Sequence, residues 1–111
     1  MIALIQKASD QPFDLRRSRR IVRHVDIVKV VSHYIKLSKQ GPLFVGRCPL
    51  LRHRNKRKRG PFVVSSEHRE FYCFGCGHSG SVLSFVMMTA GLSFIDAVRH
   101  LEEKFLSALS T

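Results

Sequence analysis

The 111-residue chain has no tryptophan, three cysteines and eight acidic residues, and the last two shortages each remove a class of protein from consideration. Three thiols cannot pair completely, and only two residues separate Cys73 from Cys76, so the disulfide framework of a small secreted domain is a poor reading. A reducing compartment, the cytoplasm, is expected instead. Acids are missing altogether between Asp26 and Glu67. The late carboxylates Asp96, Glu102 and Glu103 read as the solvated side of a helix, and no pair lies on a glycine-bounded loop of the kind that holds two magnesium ions. Phosphoryl-transfer chemistry therefore has no visible home. From Phe71 to Ile95 the chain lacks Asp, Glu, Lys and Arg, but four glycines, four serines, a histidine and two cysteines break the run, so neither a transmembrane helix nor a membrane partner is expected. Ile2 to Ile5 is too short for a signal-peptide core, and Asp10 and Asp14 argue against a transit peptide.

What is abundant is positive charge. Nineteen Lys and Arg against eight Asp and Glu give +11, which favours a polyanionic partner. Lys29, Lys36, Lys39, Arg47, Arg52, Arg54, Lys56, Arg57, Lys58 and Arg59 all fall in the acid-free interval. A second cluster, Arg16, Arg17, Arg19, Arg20 and Arg23, precedes it. The length allows one small domain, and an apolar share of 44% supports a modest core that a metal could help to hold.

Periodicity places the elements. Residues 1–19 read as a flexible basic leader, 20–106 as the folded domain and 107–111 as a tail. Ile21, Val25, Val28 and Ile35 share one face of a helix, which Gly41 and Pro42 end. Leu43 to Arg47 reads as a strand leading into Cys48-Pro49. Residues 52–59 are a loop by composition, closed by Gly60-Pro61. Phe62-Val63-Val64 and Arg69 to Tyr72 form a hairpin that turns around Ser65 to His68. Ser81 caps a helix burying Val82, Phe85 and Val86 that Gly91 stops, and Ser93 with Asp96 opens a last helix whose stripe is Phe94, Val98, Leu101 and Phe105. The expected class is α+β, a small antiparallel β-sheet flanked by one N-terminal and two C-terminal helices.

Cys73-Phe74-Gly75-Cys76-Gly77 has the pattern of a metal knuckle, in which a Cys-x-x-Cys turn aims two thiolates at one point. A structural zinc site needs a second pair, and Cys48 is the remaining thiol. A histidine would complete the set: His53, five residues after Cys48, is preferred because ligands usually arrive as two local pairs, with His78 next and His68 in the hairpin turn as a further candidate. A redox Cys-x-x-Cys normally opens a helix in a βαβ setting, which is not the pattern here. Buried, inert cysteines are the plain alternative. A catalytic zinc would need an open position and a nearby base, and neither Glu67 nor Glu70 stands in a zinc-hydrolase spacing.

The ordered segments Asp26-Ile27-Val28-Lys29-Val30-Val31-Ser32-His33-Tyr34-Ile35-Lys36-Leu37, Phe44-Val45-Gly46-Arg47-Cys48-Pro49, Phe71-Tyr72-Cys73-Phe74-Gly75-Cys76-Gly77, Gly80-Ser81-Val82-Leu83-Ser84-Phe85 and Gly91-Leu92-Ser93-Phe94-Ile95-Asp96-Ala97 resemble the zinc-binding domain of bacterial DnaG-type DNA primases. The resemblance runs from about residue 20 to 106. It implies a zinc-ribbon fold holding one structural Zn2+ through a Cys-His-Cys-Cys set. It also implies a role in contacting single-stranded template DNA during primer initiation, with catalysis in a separate domain and none by this ribbon alone. Cys48, Cys73 and Cys76 match three ligands. The family histidine follows the first cysteine by three residues, where this chain has Leu51, and His53 lies two residues later.

Single-strand binding needs cations along a groove and aromatic faces for stacking. Lys39, Arg47, Arg52, Arg54, Lys56, Arg57, Lys58 and Arg59 are the candidate cations. Phe44, Phe62, Tyr72 and Phe74 are the candidate aromatics, with Phe62 the one assigned to the nucleic-acid site and at most two of the four expected to be free of the core. The second reading is a protein-interaction ribbon that docks on a replicative helicase or a separate polymerase subunit through Phe85, Met87, Met88 and the last helix; beside single-stranded DNA, the expected partners are a separate primase catalytic domain or a replicative helicase.

Overall fold

The computed structural model describes residues 15–50 and 61–106. The expected leader up to residue 14, the basic run 52–59 with His53, and the tail 107–111 lie outside the described residues. Helix α1 occupies residues 15–24 and α2 Ile27–Ser32. The strands β1 (Ser38–Gln40), β2 (Leu43–Gly46), β3 (Phe62–Ser65), β4 (Glu70–Cys73) and β5 (Ser79–Gly80) follow. Helices α3 (Val82–Ala90) and α4 (Phe94–Leu101) come next, and Glu102–Leu106 continues α4 as a π-turn. The strands form one antiparallel sheet in the order β1-β2-β3-β4-β5, so the expected class holds.

The expected single helix over Ile21 to Ile35 is instead two helices. Asp26 takes an extended backbone and its carboxylate accepts the Val28 N–H at 2.9 Å, so the chain restarts there. That break changes the buried face. Ile27, Val30 and Val31 are buried beside Ile21 and Val25, whereas Val28 and Ile35 only pack at the margin. Residues 15–19, placed in the leader by composition, are helical, and Arg17 grips Glu102 with Nε–Oε2 at 2.9 Å and Nη2–Oε1 at 2.6 Å. This fork ties the start of the described chain to its end, and the Arg17 guanidinium lowers the pKa of the Glu102 carboxyl.

The hairpin, both serine caps and the glycine stop fall where expected. Ser81 Oγ accepts the Leu83 N–H, Ser93 Oγ accepts the Asp96 N–H, and Gly91 ends α3 in the left-handed region at φ 70°. α4 buries Ala97, Val98 and Leu101, while Phe94, expected in the stripe, is exposed on the first turn and Phe105 is half-buried. β1 and β5 had no sequence signal. Ser38-Lys39-Gln40 is polar throughout and β5 is two residues long, so neither shows the apolar alternation that marks a strand.

The core sits between one face of the sheet and the helices. Phe62 and Phe71 stack at 5.3 Å between ring centroids, and Phe85 from α3 closes on them at 5.9 and 5.8 Å. Gly80 permits the close approach of β5 to α3, because a Cβ there would stand 2.6 Å from Ser84 Cβ. Among the described residues no single helix is long and apolar enough to cross a membrane.

Truncation at the centre of this ring cluster leaves a cavity that neighbouring rings cannot fill. Phe85→Ala is expected to cost about 3–5 kcal/mol in urea denaturation of the metal-loaded protein. A loss below about 1 kcal/mol would show that the three rings do not form the centre of the core.

Candidate metal centre

Sheet register brings the thiols together. Gly46, Phe62 and Cys73 form one rung across β2, β3 and β4. Because β2 and β4 each run antiparallel to β3, both leave the sheet at the same end, β2 into Cys48 and β4 into the turn to Cys76. Pro61 stands at that end too, its carbonyl accepting the Phe74 N–H at 3.0 Å. The knuckle is held by the Cys73 N–H donating to the His78 carbonyl at 2.9 Å and the Gly77 N–H to the Cys73 carbonyl at 2.7 Å. Gly77 has φ 80°, a conformation that disfavours a side chain, whereas Gly75 is not in the positive-φ region.

The ligand atoms of Cys48, Cys73 and Cys76 all lie within 4.8 Å of one another. A cation about 2.3 Å from each sulfur in tetrahedral geometry would place the sulfurs about 3.8 Å apart, so the cluster can hold a metal with small side-chain adjustment. Cys73 is fully buried in the same cluster as Phe62 and Leu50. The Cys48 thiol has its pKa pushed up to about 12, first by burial and then by the neighbouring Cys73 and Cys76 thiols, against the lowering effect of the Leu50 N–H. Cys73 moves the other way. Burial opposes its ionisation, but hydrogen bonds from the Cys76 and Gly75 backbones and from the Cys76 and Cys48 side chains outweigh it and hold its pKa down. The Cys76 N–H lies 3.4 Å from Cys73 Sγ. The hydrogen bonds around Cys73 favour an anionic sulfur there, and a bound cation would favour the thiolate form of its ligands further.

Of the histidine candidates, His53 lies outside the described residues. His78 Nδ1 sits 3.3 Å from Cys76 Sγ, yet the group in which every ligand atom is close to every other consists, among the described residues, of the three cysteines. His68 is on the far turn of the hairpin, where its N–H donates to Ser65 Oγ at 3.0 Å, and is no ligand.

The candidate nucleic-acid residues that are described, Lys39, Arg47 and Phe62, do not form one exposed group. Phe62 is a correction: it is fully buried and stacked on Phe71, because alternation along β3 turns Phe62 and Val64 inward. Phe44 is half-buried, with the Lys39 ammonium 5.8 Å from its ring centroid. Of the four candidate aromatics, Tyr72 and Phe74 are the exposed ones, at 41% and 61%, their rings meeting edge to face at 4.6 Å. Lys39 and Arg47 are exposed, but Lys39 pairs with Phe44 in the rung of Val64 and Phe71, on the opposite face from Tyr72. Arg52, Arg54, Lys56, Arg57, Lys58 and Arg59 lie outside the described residues. Phe85 is fully buried and so is not available for docking, while Met87 and Met88 are half-buried against the core.

Residues 15–111 match the CHC2 zinc finger, the zinc ribbon of DnaG. The DNA primase of Clostridium acetobutylicum is 40% identical over 79 residues, 71% of this chain and 13% of that protein. The DNA primase of Helicobacter pylori strain J99 is 38% identical over 90 residues, 81% of this chain and 15% of that protein. Among solved structures, the Aquifex aeolicus primase, with its zinc-binding and RNA polymerase domains, superposes with a TM-score of 0.69 at 31% identity, over 80% of this chain and 21% of that one. The chain spans only about 13–15% of the length of these two curated relatives.

Titrating zinc into reduced, metal-free protein is expected to release protons, fill one site and raise the melting temperature. Cys76→Ser should weaken that binding by more than the ~10–100-fold that loss of a supporting outer group costs. Unchanged affinity and melting in the serine variant would exclude the three-thiol cluster as the site.

Proposed function

The chain belongs to the CHC2 zinc-finger family, the zinc ribbon of DnaG-type primases, and from that premise we propose that it binds single-stranded DNA as the template-contacting part of a cytoplasmic, nucleoid-associated DNA primase. One Zn2+, held by Cys48, Cys73, Cys76 and a fourth ligand, His53, supplies a structural clamp rather than chemistry. The match to a small part of each primase agrees with a module that does not itself synthesise primers, and the catalytic domain is its natural partner together with a replicative helicase.

The observation that supports this reading is the Tyr72–Phe74 pair, exposed beside the thiol cluster. Cys73 and Cys76 pin the turn that carries Phe74, while Tyr72 is the outward residue next to the inward Cys73. The metal would therefore fix the spacing of two stacking faces. Sequence-independent stacking of this kind contributes about 1–3 kcal/mol per base. A cation adds to the surface: exposed Arg47 follows β2 at the same end of the sheet. With catalysis elsewhere, the ribbon's task is to hold template by stacking and charge so that another active site can use it.

Binding of a single-stranded oligonucleotide to the zinc-loaded protein is expected to weaken with salt at a logarithmic slope of about −3 to −4, the value for about four to six neutralised phosphates. Tyr72→Ala and Phe74→Ala should each lower affinity by about 1–3 kcal/mol while leaving zinc binding intact. Binding that ignores salt, or alanine variants that bind as tightly as the parent, would overturn the proposal.

A further inference from the structure

A second cationic feature lies apart from the aromatic pair. Arg19 and Arg23 from α1 and Arg69 from the β3–β4 turn line one open cavity of about 480 Å³, with Ser81 at the start of α3 and with Met87 and Phe94 among its apolar lining. No Asp or Glu lines it. Among the described residues none of the three arginines has a carboxylate partner. Arg19 and Arg23 are four residues apart on a helix, which puts them on one face a turn apart. Three like charges around one cavity repel each other, and nothing among the cavity's residues offsets them.

Arg69 adds a separate observation. It is the non-glycine residue with positive φ, 54°, among the described residues. The last position of this four-residue turn asks for a left-handed backbone, which glycine adopts without cost and a side-chain-bearing residue adopts at about 1–2 kcal/mol. An arginine therefore occupies a place where the backbone favours glycine, and its side chain reaches the same cavity as two others.

We propose that this cavity binds the polyphosphate chain of a nucleotide. A nucleic-acid strand spreads its charges along its length, whereas a polyphosphate concentrates several at one end of a small molecule, matching three guanidinium groups in one cavity. Guanidinium is the side chain suited to forked contacts with phosphate oxygens. The volume is within the range of small-ligand sites, and Met87 and Phe94 offer apolar contact for a base. Tyr72 and Phe74 do not line it, so the inference does not depend on strand binding at the sheet.

The test is calorimetric titration of reduced, zinc-loaded protein at about 150 mM salt, where long-range attraction to net charge is largely screened. The probes are adenosine triphosphate, inorganic tripolyphosphate and an oligonucleotide without terminal phosphates, with zinc content checked before and after. Adenosine triphosphate and tripolyphosphate should bind the parent, and Arg69→Gly should lose at least about tenfold in affinity while melting at the same or a higher temperature, since it also relieves the backbone. The exposed helix variant Arg19→Gln/Arg23→Gln should show the same loss and serves if the turn variant does not fold. Lys29→Gln, on α2 and away from the cavity, removes an equal charge and should stay within twofold. Equal losses in Lys29→Gln and Arg69→Gly would reduce the effect to net charge and overturn the site. An oligonucleotide that binds as tightly as tripolyphosphate and is lost with Arg69→Gly would assign the cavity to strand backbone and overturn the polyphosphate proposal.

Discussion

Everything in this small protein depends on one register. Gly46, Phe62 and Cys73 share a rung, and that alignment brings the exits of β2 and β4 to the same end of the sheet. A slip of one residue would turn Phe62 and Phe71 to solvent and Tyr72 to the core, and would part Cys48 from Cys73. The core and the thiol cluster are therefore not independent features. Cys73 belongs to both, buried among Phe62, Leu50 and Val64 while its sulfur stands within 4.8 Å of two others. A cation bound there would reinforce the same register that the aromatic core selects, which is how a metal stabilises a domain with little apolar volume.

Strand alternation then divides the chemistry between faces. Inward positions hold the rings of Phe62 and Phe71 against Phe85, and outward positions present Tyr72 beside Phe74 on the knuckle. On the helical side, α1 and the β3–β4 turn bring cations together around a different cavity. Among the described residues positive charge is therefore divided by the fold: exposed Arg47 lies at the thiol end of the sheet, and Arg19, Arg23 and Arg69 gather near the start of α3. The fork between Arg17 and Glu102 holds α1 in place across 85 residues of sequence, so the position of Arg19 and Arg23 depends on a contact near the other end of the described chain.

How much of this was legible in the sequence varies with the physics of each element. The knuckle, the hairpin, the serine caps and the Gly91 stop were legible because each is local, set by a turn geometry or a cap within a few residues. The break at Asp26 was less so, since Ile21, Val25 and Val28 fit one helical face equally well without it. β1 and β5 were invisible because they are short and polar, and exist only because a neighbouring strand offers hydrogen-bond partners. Phe62 misled for a related reason: a lone aromatic on a strand carries no mark of which face it takes until the register is known.

The sequence by itself determined the family, the three thiols and the excess of positive charge, because these rest on residue identity and local spacing. Tertiary structure alone decided which aromatics are free, that Phe62 is core, and that arginines from positions 19, 23 and 69 share a cavity. The reason is distance along the chain. Spacing reports neighbours within a turn or a strand, while the burial of a ring or the meeting of charges from two elements is fixed only when the sheet closes against its helices.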